Sequence, residues 1–346
     1  MKHLRLVSVL LGTSILMMGF AYPTAKDSVS RPEVVGAFSA PPTGAGPGLL
    51  AAWSVNQKEG YTARFASSSS PAGNSFYVAY DAAQQAIYIP TVAGVTDIMS
   101  ASSNKVTAHF NTIPGGRVAE VVPQYKLVLV LSGKELAAYS TIGAHRMLFH
   151  TNVGGNAMVV SPGGKTVYVG GNMDLSLTEV QLPTGAVIHR YPIAQSGDLI
   201  WARNQIFSAD IKTGVMSILE VKTGRVVHVA TPEVDPAFSY TNIPGATAGF
   251  MQLAVSPNQA VVYAAGFSGH ILKFSAIHDT YLGEIPVKAS ANQPNKLSGI
   301  AVLPGGNQAL VTVENQKESV VINLMDGTIS KTFKQFMSNR WIVLPS

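Results

Sequence analysis

The chain of 346 residues contains no cysteine. That absence excludes disulfide staples, thiol nucleophiles and thiolate metal sites together, so any fold must rest on its core alone. Charge is also scarce, at 12% of residues, and no basic run exceeds two residues. The formal surplus of +5 is therefore a small excess over few charges and does not point to nucleic acid. Only three tryptophans occur (Trp53, Trp201 and Trp341), too few for the tryptophan docking of pyrroloquinoline-quinone propellers.

Motifs of known chemistry are missing too. No His-x-His or His-x-x-x-His pair suggests zinc, and no acidic spacing suggests a calcium loop. Gly-x-Ser-x-Gly is absent, which argues against a hydrolase with a nucleophile elbow. The glycine pairs Gly115-Gly116, Gly154-Gly155, Gly163-Gly164 and Gly305-Gly306 lack the Lys-Ser/Thr of a phosphate loop, so they are turns. Nothing resembles a cofactor box, and the sequence offers no catalytic set, metal site or cofactor.

One long apolar run is present. Lys2, His3 and Arg5 precede Leu6 to Phe20, and Gly19-Phe-Ala21 supplies small residues for cleavage. The run falls short of the roughly 20 residues needed to span a bilayer. Residues 1–21 are expected to be a signal peptide cut after Ala21, or alternatively after Ala25. The expectation is a periplasmic or secreted protein with no stable membrane insertion once the signal is removed. Loss of Lys2 and Arg5 lowers the formal charge to +3. Residues 22–48, rich in Pro and Gly, are expected to be a flexible segment.

From Leu49 to the end, β-formers alternate in short runs. Leu49–Val55 and Tyr61–Phe65 predict two strands. Six units of four strands follow, beginning at Phe76, Val118, Val159, Leu199, Met251 and Gly299. Prolines in the first turn stand at Pro123, Pro162, Pro257 and Pro304, separated by 39, 95 (two units) and 47 residues. Four strands per 40–50 residues is the period of a propeller blade. The fold class expected is all-β: a seven-bladed β-propeller of four-stranded antiparallel blades. A composite blade would close it, joining Trp341–Leu344 to the two N-terminal strands; six blades with loose termini is the alternative.

The sharpest unit is Val159-Val-Ser-Pro-Gly-Gly-Lys-Thr-Val-Tyr-Val169, continued by Leu177–Pro192 with its Pro183-Thr-Gly185 turn. It resembles the YVTN-type repeat of bacterial exported seven-bladed propellers, which are related to the heavy-chain propeller of quinoprotein amine dehydrogenases. Val255-Ser-Pro-Asn258 and Pro304-Gly-Gly-Asn307 match in part, while Gly170-Gly171 stands where such repeats usually carry Thr-Asn. The resemblance implies a fold and not an activity, because propellers host many unrelated functions.

Blade topology divides the connections between two rims. First-to-second and third-to-fourth connections are short turns (Ser-Pro-Gly-Gly, Thr-Gly, Asp-Gly), so that rim is expected to be inert. The opposite rim has longer, varied connections, the longest being Ala230–Gly249. Arg117, Asn156, Asp174, Asp198, Trp201, Tyr240, His270 and Glu314 are the residues expected to bind ligand at the channel mouth there. The function implied is an exported binding or scaffold protein recognising a protein, a glycan or a small ligand. The alternative is a propeller enzyme or enzyme subunit, either lactonase-like or like the amine dehydrogenase heavy chain. A lactonase-like site would bring Asp174, Asp198 and Glu314 together. On the rim reading, replacing Glu233–Thr247 with a short Gly–Ser link abolishes ligand binding with little change in melting temperature, as binding and thermal-unfolding assays would show.

Overall fold

The computed structural model describes Val34–Ala37, Leu49–Asn56, Gly60–Ser67 and the chain from Ser75 to Leu344. Left undescribed within the last stretch are residues 76, 104, 172–175, 194–195, 211–212, 232–248, 289–294, 335–336 and 339, and for residues 37 and 49–67 the backbone alone is described. Both proposed cleavage points lie outside the described residues.

The fold is an all-β propeller of four-stranded antiparallel blades. Three strands come first: β1 (Val34–Ala37), β2 (Leu49–Asn56) and β3 (Gly60–Ser67). The next sheet holds β4 (Ala79–Asp81), β5 (Ala86–Pro90), β6 (Val95–Ser100) and β7 (Val106–Asn111). It is followed by β8 (Val118–Val122), β9 (Leu127–Leu131), β10 (Leu136–Ser140) and β11 (Met147–Thr151). The stretch that is sharpest in the sequence forms β12 (Ala157–Val160), β13 (Thr166–Gly170), β14 (Leu177–Gln181) and β15 (Val187–Tyr191). Then come β16 (Ser196–Ala202), β17 (Gln205–Asp210), β18 (Met216–Glu220) and β19 (Arg225–Val229). The fifth sheet of this kind has β20 (Phe250–Val255), β21 (Val261–Gly266), β22 (His270–Ser275) and β23 (Thr280–Pro286). The sixth has β24 (Leu297–Val302), β25 (Gln308–Val313), β26 (Glu318–Asn323) and β27 (Ile329–Lys334), and β28 (Trp341–Val343) ends the chain.

Six blades are thus each built from four consecutive strands. Burial explains their pattern: the second and third strands are almost wholly buried, as in Leu127–Leu131, whereas outer strands such as Val187–Tyr191 face solvent. Each sheet covers its neighbour's apolar faces, for example Val118, Leu129 and Leu136 against Met158, Val167 and Val180.

One further sheet has the order β28-β1-β2-β3. Val34 and Val35 pair with Val343 and Ile342 on one side and with Trp53 and Ala52 on the other. Val34–Ala37 is therefore a strand, which corrects the expectation that all of residues 22–48 form a flexible segment. The Pro- and Gly-rich composition around it hid two apolar residues with no exposed surface. Val34 packs with Ala301, Leu310 and Val321, and Val35 packs with Val78, Ile87 and Met99. The two-ended sheet thereby shares apolar contacts with the β24–β27 blade and with the β4–β7 blade.

Glycine permits the closest approach at this junction. A Cβ on Gly299 would lie 2.2 Å from the Ser338 carbonyl oxygen and 2.8 Å from Trp341 Cδ1. Both neighbours are buried and hydrogen-bonded, so neither gives way readily. Gly299→Ala is expected to lower the unfolding free energy by about 1–3 kcal/mol, the usual cost of overpacking; urea denaturation would measure it, and an unchanged midpoint would show that the junction is looser than described.

Candidate functional site

The first strand of every consecutive blade runs along the propeller axis, and three of them depart from regular pairing. In β16, β20 and β24 the register to the next strand slips by one residue, between Ser196 and Asp198, Phe250 and Leu253, and Leu297 and Ile300. A bulge of this kind frees backbone groups from the ladder and re-aims side chains. Those groups lie buried, so they need other partners.

They find them across the axis. Asp198, in β16, accepts from the Tyr77 hydroxyl at 2.6 Å on Oδ1 and from the Leu253 amide at 2.7 Å on Oδ2. The Arg340 guanidinium donates to the Gly197 carbonyl, released by the bulge, at 2.9 Å, and it sits 5.4 Å from the centre of the Tyr77 ring. Gln252 donates to the Trp341 carbonyl at 2.6 Å, while its Oε1 accepts from the Ile300 and Trp341 amides, each at 2.8 Å. Thr312 accepts from the Trp341 indole at 2.9 Å and donates to the Ser338 carbonyl at 2.6 Å. Tyr77 itself bridges two blades, since its backbone pairs in parallel with Val118. The result is a polar knot that ties β16, β20, β24, β28 and the entry to β4.

Below the knot lies a cavity of about 460 Å³. Its walls are apolar and come from inner strands: Met158 and Val159, Leu199 and Ile200, Ala254 and Val255, Ile300 to Leu303, and Ile342 and Val343. Pro257 and Pro304 mark one end, and Tyr77, Glu120, Gln252 and Trp341 mark the other. Because Pro257 and Pro304 sit in first-to-second turns, the funnel reaches the rim of short connections. Sequence reasoning expected that rim to be inert. The turns do have a structural role, but the strands they join enclose a ligand-sized space.

Glu120 has the least usual setting. Burial pushes its carboxyl up to about 8, with the Asp198 charge adding to the rise. Among the described residues it has neither a hydrogen-bond nor a salt-bridge partner. Asp198 is raised as well, by burial, against the opposing pull of Arg340 and its hydrogen bonds. Because both Asp198 oxygens accept hydrogen bonds, the geometry is that of a carboxylate balanced by Arg340. Tyr77 is raised well above its ordinary value, first by burial and then by Asp198, so its hydroxyl stays protonated and donates.

Of the eight residues expected at the mouth, Asp198 alone belongs to the knot, and it is a buried strand residue rather than a loop residue. Trp201 lies at the other end of β16, beside the Ala202–Gln205 turn, where its indole donates to the Arg203 carbonyl. It is thus on the short-turn rim, because a seven-residue strand carries Asp198 and Trp201 towards opposite rims. Arg117 is exposed and lines another hollow, of about 400 Å³, with Pro114, Ser132, Lys134 and Glu135. Asn156 is half-buried, and its backbone amide donates to Gly170. His270 faces Glu284 at 3.8 Å, and Glu314 pairs with Lys296 at 3.6 Å. Asp174 and Tyr240 lie outside the described residues. Among the described residues, no group of three or more His, Asp and Glu could hold a metal ion.

Sequence reasoning missed Tyr77, Glu120, Gln252 and Arg340. Glu120 had one available signal, a lone acid in the apolar run Val118-Ala-Glu-Val-Val122. Gln252 interrupts Phe250–Val255 in the same way.

No family model matches the chain. No curated protein matches it either. A solved structure described as dihydro-heme d1 dehydrogenase NirN in complex with DHE is similar, with a TM-score of 0.61 and 12% identity, covering 88% of this chain and 75% of that one. The likeness is one of fold.

The raised Glu120 carboxyl makes stability depend on pH. The folded protein holds this proton up to about pH 8, whereas the unfolded chain releases it in the ordinary carboxylate range. Its stabilising contribution is therefore complete in acid and is lost as pH rises through about 8. Unfolding free energy should fall between pH 5.5 and 8.5, and Glu120→Gln should flatten that fall; parallel profiles for the two proteins would contradict the assignment.

Proposed function

We propose that this protein is a binding propeller that holds a small, mostly apolar molecule in its axial funnel. The observation that carries the reading is the funnel itself: apolar side chains from four inner strands and β28 surround about 460 Å³ and end on a polar floor. Burying apolar ligand surface against such walls contributes roughly 25 cal/mol per Å², and the floor gives orientation. A wall of this composition favours an apolar ring or chain over a glycan, whose hydroxyls would lose water without finding partners.

Two structural readings accompany it. The β28-β1-β2-β3 sheet closes a seven-bladed ring, supported by its packing between the first and last consecutive blades. The YVTN-type kinship is supported by the turn Ser161–Lys165, which joins β12 to β13 as a tight hairpin. We also propose export, on the strength of the N-terminal sequence alone.

The test is to fill the funnel. Val159 is half-buried on its wall. Val159→Trp should weaken binding of the neutral fluorophore N-phenyl-1-naphthylamine by about tenfold or more, equivalent to about 1.4 kcal/mol, while leaving the melting temperature nearly unchanged. Replacing residues 233–247 should leave this binding intact. The reverse pattern, with loss on loop replacement and none in the tryptophan variant, would return the site to the other rim.

A further inference from the structure

We propose that the molecule bound in the funnel is an amphiphilic organic cation, an ammonium group on an apolar body, whose head lies against Glu120 and displaces a proton from it. The inference rests on the axial-funnel reading above and specifies its ligand.

The argument is one of charge balance. Three groups of the floor carry or gain charge, and they come from different elements: Glu120 from β8, Asp198 from β16, and Arg340 ahead of β28. Tyr77, ahead of β4, is the fourth titratable group there and stays neutral. Asp198 and Arg340 are opposite charges that act on each other, and each Asp198 oxygen also accepts a hydrogen bond, from the Tyr77 hydroxyl and from the Leu253 amide. The Arg340 guanidinium donates to the Gly197 carbonyl and lies over the Tyr77 ring. Glu120 is left over. It lines the cavity, the like charge of Asp198 acts on it, and among the described residues nothing pairs with it. A half-buried carboxyl facing an apolar cavity and a like charge is driven towards its protonated, neutral form.

An ammonium group entering the funnel would be the missing counter-charge. The step balances simply: Glu120 releases its proton to solvent, the carboxylate forms, and the cation replaces the proton as its partner. An anion would meet two acids on the floor. A neutral alcohol would gain a single hydrogen bond from the protonated carboxyl and release nothing. The apolar walls then select the body, because Met158, Leu199, Ile300 and Ile342 bury a hydrocarbon chain without polar loss.

The experiment uses the full chain and three probes with the same tail: hexyltrimethylammonium, 1-hexanol and hexanesulfonate. Calorimetric titration at pH 7 in two buffers of different ionisation enthalpy reads both affinity and protons. The expected result is that the cation binds at least tenfold more tightly than the alcohol and releases close to one proton per ligand, with the sulfonate weakest. In Glu120→Gln the cation's advantage and the proton release should both vanish while hexanol binding persists. Proton release by the parent protein stands independently of how that variant folds. If the cation and the alcohol bind alike with no proton released, or the sulfonate binds best, the cation inference fails and the funnel reading survives. If none of the three binds, and N-phenyl-1-naphthylamine does not bind either, the funnel reading itself fails.

Discussion

Buried backbone amides and carbonyls at the axis need partners, and the way this chain supplies them governs the rest of the structure. Inner strands of a propeller converge, and where β16, β20 and β24 bulge, their polar groups leave the ladder. Water has little access there, so an unmet donor or acceptor would cost about 1–3 kcal/mol. Asp198, Gln252, Thr312 and Arg340 answer this by bonding to other blades and the chain's last segment instead of along their own sheets. Because each such bond joins different blades, the same interactions that satisfy the backbone also fix the relative placement of the blades.

The knot has a second consequence. By filling one end of the axial space with paired groups, it turns the remainder into a blind funnel instead of a pore. The walls beyond the knot are mostly apolar, and among the described residues the Glu120 carboxyl at its edge has no hydrogen-bond or ion-pair partner. A half-buried acid beside a carboxylate and an apolar cavity is a costly arrangement for stability alone. Such a cost is commonly retained where a site does something, which is why the functional reading centres on this residue. The chain ends take part as well: Trp341 contributes its indole, amide and carbonyl to the knot, and Val343 to the funnel wall.

The blades were largely legible because a strand with one or two buried faces writes its period into the chain, and tight turns demand Gly, Pro, Asn or Asp. Runs such as Leu127–Leu131 or Thr166–Gly170 declare themselves by β-branched and apolar content. Val34–Ala37 did not, since four residues between Pro- and Gly-rich flanks are too short to show a period. The candidate site was hardly legible. Loop length drew attention to one rim, while the cavity is walled by regular strands whose apolar residues look like ordinary core.

What the sequence by itself determined is local: strand, turn, and the repeat that makes blades stack, all set by neighbours within a few positions. What the tertiary structure alone decided is which residues meet at the axis. Tyr77 and Asp198 are 121 residues apart, and Gly197 and Arg340 are 143 apart. No local pattern encodes such meetings, because they arise only when the ring brings every inner strand to one line.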